Sequence, residues 1–360
     1  MSHRPLVFHV YATFGTGGPQ VRAVQLMERM GPAVRHVVMA MDGNTDALRL
    51  LPKAVACEAM APPPRAGFVR SVRQQARILR TLGPDLLVTC NWGAVETVAA
   101  ARMLRLQAHV HHEDGFGPGE AARRFVRRNL MRRALLRNVR VLVPSHTLAE
   151  VARTEWGLGP GLAVLPNGVD LQRFAPAARA PGSDLVIGTV GGLRAEKDQA
   201  TLLRAFARVP GTPRLRLVGD GPERTRLVQL AAELGIAARV EFRGVRTDVA
   251  TELHGCDVFA MSSATEQMPL CLLEAMACGL PVAATDVGDT RRMLPESSRA
   301  GLVPVGDVDA LSRALTALAT DADRRQREGA ANRAHCQQHY ELEACLQAWL
   351  AEYERAQARR

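Results

Sequence analysis

The feature that most constrains the fold is an alternation of strand-like and helix-like segments, which runs through the chain and restarts after residue 184. Short apolar segments such as Leu6–Tyr11 and Val258–Met261 read as strands, and stretches such as Gln199–Val209 have apolar residues at helical spacing. Strands that alternate with helices predict parallel sheets joined by right-handed crossovers. The sequence therefore predicts an α/β protein with two Rossmann-like, doubly wound domains.

The length of the chain agrees with two domains. Its 360 residues exceed one hydrophobic core at about 150 residues per domain. The segment 176–184 is rich in Pro, Gly and Ala and predicts a linker. We expect an N-terminal domain over 1–175, a C-terminal domain over 185–345, and a last helix over 346–360 that packs back on the N-terminal domain.

Composition excludes several classes of protein. The chain is 47% hydrophobic and 23% charged, which excludes a disordered chain. It has no apolar run long enough to span a bilayer, and its N-terminus lacks the pattern of a signal peptide. We therefore expect a cytoplasmic protein. The seven cysteines are scattered without a CxxC pair, so the sequence predicts no zinc site.

The positive charge is concentrated in one half of the chain. Residues 1–180 hold 24 basic and 12 acidic side chains, which leaves 22 basic and 24 acidic in the rest. Such a field attracts an anionic partner, which on charge alone is a nucleic acid, a membrane surface or an acidic substrate.

The strongest local signal is a pair of glutamates at the start of a helix that begins near Leu270: Glu266 lies in the loop before the helix and Glu274 on its first turns. Free N–H groups at a helix N-terminus attract phosphate, and a carboxylate inside the helix accepts hydrogen bonds from hydroxyl groups. A nucleotide diphosphate sugar needs both. By spacing alone, a solvated helix with two surface acids explains the pattern equally well.

The sequence around these glutamates is a more specific signal than their spacing. Residues 262–288 closely resemble the signature of the retaining glycosyltransferases of family 4, in which Glu-x7-Glu is followed by Ala-Met-Ala-Cys-Gly-x-Pro-Val. Pro166–Asp170 with Phe174, Val218–Glu223 and Gly15–Gly18 match further family segments in the right order. The resemblance implies the GT-B fold, in which two Rossmann-like domains face each other across a cleft and the N-terminal domain takes the acceptor.

The activity that this resemblance implies is transfer of a sugar from a nucleotide diphosphate sugar to an acceptor hydroxyl, with retention of the anomeric configuration. The resemblance implies a metal-independent reaction, and no other cofactor is expected, since the nucleotide sugar counts as a substrate. The sequence resembles the bacterial envelope and exopolysaccharide enzymes more than the sucrose or glycogen enzymes. The alternatives are an epimerase or phosphorylase of the same fold, or a silent sugar-nucleotide-binding subunit.

The resemblance also assigns roles in the C-terminal half. Glu274 would bind the ribose, Glu266 would contact the transferred sugar, and the backbone N–H groups of Met268 and Leu270 would hold the diphosphate. Two departures stand out: Gln267 lies where the family often has Gly, and Gly192 where it usually has Arg.

Two cations are expected beside the leaving diphosphate. Lys197 matches the family lysine, and Arg194 is displaced by two residues from the usual arginine position. Positive charge there stabilises the departing group. In the N-terminal half, Gly17 and Gly18 would approach the donor or the acceptor, although a simple tight turn also explains these glycines.

Polar residues follow the strands of the N-terminal half. The resemblance favours His111 as the catalytic histidine, with His112 as the alternative. Neighbouring residues of a strand face opposite ways, so only one of the two points toward a given face. From position alone, the acceptor pocket is expected to include four further residues: Asn91, Trp92, Glu113 and Asp114.

An arginine-rich helix is predicted over 120–138. A basic amphipathic helix can lie on an anionic membrane, which suits a lipid-linked or glycan acceptor and a peripheral position at the inner face of the membrane. A solvated face of a core helix explains it equally well. Nucleic acid is excluded, because only 4% of residues are aromatic and no RNA-binding module is present.

Overall fold

The computed structural model describes residues 4–116, 125–177 and 184–358. The chain divides into two compact units. Unit 1 comprises Met1–Asn167 and Glu343–Arg360, and unit 2 comprises Gly168–Leu342. The division therefore comes before the predicted linker 176–184, most of which lies outside the described residues.

Unit 1 is built on a parallel sheet, which in the described residues has seven strands in the order β3-β2-β1-β4-β5-β6-β7. Leu6 pairs with Arg35 on one side of β1, and Val7 pairs with Leu86 on the other. The strands are β1 (Leu6–Tyr11), β2 (Arg35–Ala40), β3 (Ala56–Met60), β4 (Leu86–Cys90), β5 (His109–His112), β6 (Arg140–Val143) and β7 (Leu162–Val164).

Helices cover both faces of this sheet. Phe8 and Leu87 pack with Leu79 on one face, whereas Tyr11 packs with Met27 on the other. The helices are α1 (Gly18–Met30), α2 (Phe68–Leu82), α3 (Val95–Met103), α4 (Val126–Leu136), α5 (His146–Thr154) and, from the end of the chain, α13 (Leu342–Gln357); short 3₁₀ turns lie at Asp46–Leu50 and Trp92–Ala94.

The last helix of the chain is fastened to unit 1 by side chains along its length. The indole of Trp349 donates to the carbonyl of Pro166 at 3.0 Å. The hydroxyl of Tyr353 lies 3.0 Å from Nε2 of His112. Glu352 pairs with Arg140 of β6 at 2.5 Å. These three contacts bring the C-terminus back to the sheet on which the chain began.

Unit 2 repeats the parallel arrangement. In its described residues the sheet has six strands in the order β10-β9-β8-β11-β12-β13. The strands are β8 (Val186–Val190), β9 (Arg214–Val218), β10 (Val240–Gly244), β11 (Val258–Met261), β12 (Val282–Thr285) and β13 (Leu302–Val303).

This second sheet is also covered on both faces. Phe206 and Leu315 pack against Ile187 on one face, and Leu273 and Met276 pack around Phe259 on the other. The helices are α6 (Gln199–Phe206), α7 (Arg224–Glu233), α8 (Val249–His254), α9 (Leu270–Ala277), α10 (Thr290–Met293), α11 (Val308–Thr320) and α12 (Ala322–His339); 3₁₀ turns lie at Ala195–Lys197, Ala237–Arg239 and Glu296–Gly301.

The predicted α/β class with two doubly wound sheets is confirmed, but some elements were missed. Sequence reasoning assigned nothing to β3, whose half-exposed edge lacks a continuous apolar run, nor to the short helices α8 and α10. The arginine-rich helix is shorter than the predicted 120–138: α4 ends at Leu136, and residues 120–124 lie outside the described part of the chain.

A buried histidine pair joins β1 and β2. Nε2 of His9 lies 3.1 Å from Nδ1 of His36, and both side chains are buried. Burial lowers the pKa of His36 to about 4 and holds that of His9 well below its usual range, where the nearby His36 lowers it further. The two imidazoles are therefore neutral in the folded chain.

These lowered pKa values predict acid sensitivity of the fold. Between pH 6.5 and about 4, His36 takes up a proton only in the unfolded state. Its contribution to the free energy of unfolding is therefore fully present above pH 6.5 and is lost as the pH falls toward 4. His36 alone contributes at most about 3 kcal/mol to this loss. The midpoint of thermal unfolding, measured on the full chain from pH 7.5 to 4.5, should therefore fall less steeply for His36→Gln than for the unmodified protein. An identical decline in both proteins would contradict this.

Candidate active site

The loops that follow the strands of unit 2 meet at one edge of its sheet. Because β8 to β13 pair in parallel, their carboxyl ends lie together, which is where ligands bind in such sheets. Gly191–Asp198 follows β8, Gly219–Pro222 follows β9, and Ser262–Pro269 follows β11. Of the predicted donor-binding residues, Arg194, Lys197, Glu266 and Met268 thus lie in loops at this edge of unit 2.

Glycines let two of these loops touch backbone to backbone. A Cβ at Gly219 would lie 2.0 Å from the carbonyl oxygen of Gly191, and one at Gly221 would lie 2.4 Å from that of Leu193. The N–H of Leu193 donates to the carbonyl of Asp220 at 3.0 Å. No larger side chain fits at either glycine, which explains the Gly-Asp-Gly segment.

Lys197 and Glu266 form an ion pair at this edge. Ser263 Oγ also donates to Glu266 Oε1, at 2.8 Å. The hydroxyl of Ser262 donates to the carbonyl of Lys197 at 3.1 Å, so both loops are linked. Burial pulls the pKa of Lys197 down, but the Glu266 carboxylate outweighs it and the net pKa is raised. Lys197 therefore remains charged at neutral pH.

Arg194 lies in the same loop as Lys197. Its side chain passes 3.2 Å from the position of a Cβ on Gly192, and its Nε is 3.1 Å from Oε1 of Glu196. The side chain is more than half exposed. The side chain of Arg194 therefore lies next to the space that a side chain at position 192 would occupy. Its role at the donor stays a prediction.

Helix α9 carries the second glutamate of the pair. Pro269 is its N-cap residue and has no N–H, and Leu270 is the first helical residue. Glu274 lies one turn further along and is half-buried. Burial raises the pKa of Glu274 to about 7, and the charge of Arg173 opposes this rise. Met268, whose N–H was also assigned to the diphosphate, is buried beside the helix start.

The Glu266 loop rests on a glycine of the next loop. Gly288 has a φ of +55°, and a Cβ there would lie 2.3 Å from the carbonyl oxygen of Glu266. The N–H of Asp289 donates to the carbonyl of Gln267 at 2.9 Å. The backbone around Gly288 therefore fixes the position of Glu266.

In unit 1, both candidate histidines are buried and bonded to protein groups. His111 contacts Thr89 Oγ1 through Nδ1 at 2.8 Å and Glu113 Oε2 through Nε2 at 3.3 Å. His112 bonds to Tyr353 and stacks on Trp349. Burial holds the pKa of His112 well below its usual range, with Arg22 adding to the effect. The catalytic role of His111 stays a prediction.

Glu113 is held in place by two buried side chains. Its carboxylate is buried between His111 and the guanidinium of Arg132, which lies 3.3 Å away. Arg132 in turn stacks on Trp92 and Trp156. Glu113 also lines a small cavity together with Trp92, and its role toward an acceptor stays a prediction.

Asp114 and Asn91 belong to a network that the sequence did not reveal. Asn91 has a φ of 56°, rare for a non-glycine residue, and its Oδ1 accepts the N–H of Asp114 at 2.7 Å. Asp114 pairs with the buried Arg22 at 2.6 Å, and Arg22 also donates to Asn167 at 2.8 Å. Arg22 was missed because Asp114 lies 92 positions away; the signal that could have indicated it is an arginine among the apolar positions of α1.

The glycine loop of unit 1 starts helix α1. Gly17 is its N-cap residue and Gly18 its first residue. A Cβ on Gly17 would lie 2.8 Å from Oε1 of Gln20, whose Nε2 donates to the carbonyl of Thr13. The glycines are thus explained by a tight helix start, and their contact with a donor or acceptor stays a prediction.

Two family models match the chain. The model "Glycosyltransferase Family 4" matches residues 16–173, and "Glycosyl transferases group 1" matches residues 184–321. The two matches cover the regions in which the resemblance was found.

Curated relatives give the same result. A GDP-mannose-dependent alpha-(1-6)-phosphatidylinositol monomannoside mannosyltransferase of Mycolicibacterium smegmatis is 32% identical over 72% of this chain and 74% of its own. The lipopolysaccharide core biosynthesis glycosyltransferase LpsE of Rhizobium meliloti is 35% identical over 44% of this chain and 45% of its own. In this and other such matches, the chain spans about half the length of the curated relatives.

Solved structures share the fold. The HepE structure from Anabaena, in complex with UDP and glucose, has a TM-score of 0.82 and 20% identity over 96% of this chain and 98% of its own. Sucrose-phosphate synthase from Thermosynechococcus elongatus has a TM-score of 0.83 and 23% identity over 98% and 99%.

The fold is that of the GT-B class. The chain belongs to glycosyltransferase family 4, also described as glycosyl transferases group 1.

The close contact at Gly288 gives a test of the site geometry. Gly288→Ala should displace the Glu266 loop and weaken nucleotide binding, because its Cβ would collide with backbone atoms. Gly306→Ala is the matched control, since Gly306 also has a positive φ, +73°, but has open space around it. Binding can be measured by isothermal titration calorimetry. Equal losses in both variants would show that strain, not the contact with Glu266, is responsible.

Proposed function

We propose that this protein is a retaining glycosyltransferase, which moves a sugar from a nucleotide diphosphate sugar to an acceptor hydroxyl in glycolipid or exopolysaccharide synthesis. The observation that carries the proposal is the Lys197–Glu266 ion pair at the carboxyl edge of the unit 2 sheet, with Glu274 on the adjoining helix. The names of LpsE and of the mannosyltransferase, and the UDP and glucose bound to HepE, support it.

The residues of unit 2 have separate tasks in this proposal. Glu274 accepts hydrogen bonds from the ribose, and the start of α9 binds the diphosphate. Glu266 contacts the hydroxyls of the transferred sugar. Lys197, charged and already at the edge, moves to the leaving diphosphate, with Arg194 as a second cation. Donor binding therefore replaces the Lys197–Glu266 contact with contacts to the substrate.

The chemical step balances without a dedicated protein base. The bond between the anomeric carbon and the diphosphate oxygen breaks, and the acceptor oxygen bonds to the anomeric carbon on the same face. The leaving phosphate takes up the proton of the acceptor hydroxyl. We propose that no metal takes part, because the two cations of the 191–198 loop supply the positive charge.

Unit 1 would serve the acceptor. Asn91, Trp92 and Asp114 lie at the carboxyl ends of its central strands, where a ligand is expected. His111 would act beside the transferred sugar, and Glu113 would hold its imidazole in one orientation. Asp114 is itself paired with Arg22, so it orients Asn91 rather than offering a free carboxylate.

The donor can be identified first. Purified protein mixed with UDP-, GDP- and ADP-sugars should slowly hydrolyse one of them, and proton NMR should show that the first released sugar keeps the donor's anomeric configuration. Release with inversion would contradict the retaining assignment. Binding without turnover, even with candidate acceptors, would favour a silent binding subunit. Phosphate-dependent breakdown of a glycan would favour a phosphorylase.

Replacing Glu266 tests its role in the reaction. Glu266→Gln should lower kcat for donor turnover by about 10²–10³-fold, because the amide is a weaker acceptor than the carboxylate for the hydroxyls of the transferred sugar. Glu233→Gln, an exposed glutamate of α7, is the control. If both variants turned over the donor at the same rate, the assignment of Glu266 would be wrong.

We also propose that the protein works in the cytoplasm, at the inner face of an anionic membrane, which it contacts through α4. Val126 is 74% exposed and Leu130 is 61% exposed. Arg133 and Arg137 follow at helical spacing and are exposed, so all four share one face. Arg132 is buried and does not belong to this face. Among the residues that the structure describes, no helix combines the length and hydropathy needed to cross a bilayer.

Vesicle binding tests this surface. The protein should co-sediment with phosphatidylglycerol vesicles but not with phosphatidylcholine vesicles, and salt should weaken the binding. Val126→Asp/Leu130→Asp should reduce it at least about tenfold, because two apolar contacts are lost and two negative charges face the lipid. Val228→Asp, an exposed valine of unit 2, is the control. Unchanged binding of the α4 variant would exclude this face.

A further inference from the structure

We infer that Arg173 is a positioning residue of the donor site, which holds the loop after β10 through the carbonyl of Thr247. This inference rests on the proposed function, because it takes Glu274 as a contact of the nucleotide. Arg173 lies outside the Glu-x7-Glu element and outside the 191–198 loop, so neither of those patterns indicated it.

A tight turn fixes the backbone of Arg173. Oδ1 of Asp170 accepts the N–H groups of both Gln172 and Arg173 at 2.9 Å. The N–H of Phe174 donates to the carbonyl of Asp170 at 3.0 Å, and the Phe174 ring is buried in the core of unit 2. The side chain of Arg173 therefore starts from a rigid position on the surface.

This turn is fastened to the helix that carries Glu274. Nη2 of Arg333 donates to the carbonyl of Leu171 at 2.9 Å. Nη1 of the same guanidinium donates to the carbonyls of Phe174 at 3.1 Å and Ala277 at 2.8 Å. Ala277 is the last residue of α9, so Arg333 links the turn directly to the end of that helix.

From this turn, Arg173 reaches the loop after β10. Its Nη2 donates to the carbonyl of Thr247 at 3.3 Å. Glu252 pairs with Arg246 of the same loop at 3.3 Å and with Arg243, near the end of β10, at 3.1 Å. The loop lies at the carboxyl edge of the sheet, next to the other donor loops. Arg173 and Glu252 thus fix its backbone before any ligand binds.

The electrostatic surroundings of Glu274 give Arg173 its second task. Burial raises the pKa of this carboxyl to about 7, and in the described residues Arg173 is the charged side chain whose field lowers it. The titratable neighbours on α9 and just after it are the thiols of Cys271 and Cys278, whose pKa values burial raises to about 12. Both thiols are neutral, so Arg173 is the charge that favours the ionised carboxylate.

An ionised Glu274 can accept hydrogen bonds from both hydroxyls of a ribose, whereas a protonated one must donate with one oxygen. Nucleotide affinity should therefore fall as pH falls through about 7. Removal of Arg173 should move this fall to higher pH, because the carboxyl then loses its proton less readily. A residue that only supported the fold would leave the pH dependence in place.

The test uses whichever of UDP, GDP and ADP binds the full chain best, with Kd measured by calorimetry from pH 6.5 to 9. Arg173→Gln should weaken binding about tenfold at pH 7 and shift the pH profile upward, with a smaller loss at pH 9. Arg173→Lys should keep the pH at which affinity falls close to that of the unmodified protein, since lysine carries the same charge. Arg204→Gln, an exposed arginine of α6, is the control and also shows the nucleotide's own titration.

Glu274→Gln distinguishes a failure of the inference about Arg173 from a failure of the proposed donor site. If Glu274→Gln weakens binding and removes the pH dependence while Arg173→Gln keeps the profile of the unmodified protein, the inference about Arg173 is wrong and the proposed function stands. If Glu274→Gln changes neither affinity nor pH dependence, or if no nucleotide binds at all, the donor site itself is wrong. Far-ultraviolet circular dichroism and thermal unfolding show that each variant is folded.

Discussion

The rest of the structure depends on the parallel pairing of the strands. In a parallel sheet every strand runs the same way, so the loops that follow the strands all lie at one edge. In unit 2 this brings together residues that are far apart in the sequence, such as Lys197 and Glu266. In unit 1 it brings together Asn91 and Asp114. No pairwise attraction is needed to collect these groups, because the sheet itself collects them.

Crowding at that edge then decides which residues can occupy the loops. Gly219, Gly221 and Gly288 each meet a carbonyl oxygen at less than 3 Å from the position of a Cβ, so only glycine fits. With the loops in backbone contact, each loop supports the next. A charged side chain such as Lys197 therefore starts from a fixed position, which limits the reorganisation needed when a ligand binds.

Sequence reasoning predicted the strands and the local motifs better than the contacts between side chains. The strands β1 and β11 read as short, nearly continuous apolar runs because both are buried on both faces, and the Glu-x7-Glu element is a local pattern. Arg22, Arg132 and Arg173 were not recovered as site residues, because their partners lie 92, 19 and 74 positions away. Such long-range pairs leave no local pattern, and in an arginine-rich chain one arginine looks like another.

Long-range pairing of this kind also explains why the net charge of the N-terminal half did not show which arginines are buried and which are exposed. Unit 1 buries Arg22 against Asp114 and Arg132 against Glu113, and removal of one partner from such a pair typically costs about 3–5 kcal/mol. These arginines hold the interior together and add nothing to an outer binding surface. The exposed charge lies instead on helices such as α2, where Arg70, Arg73, Arg77 and Arg80 occur at intervals of three or four residues and all face solvent. Because no acidic residue interrupts α2, the positive field of unit 1 is concentrated on the outer faces of its helices, away from the buried pairs at the sheet edge.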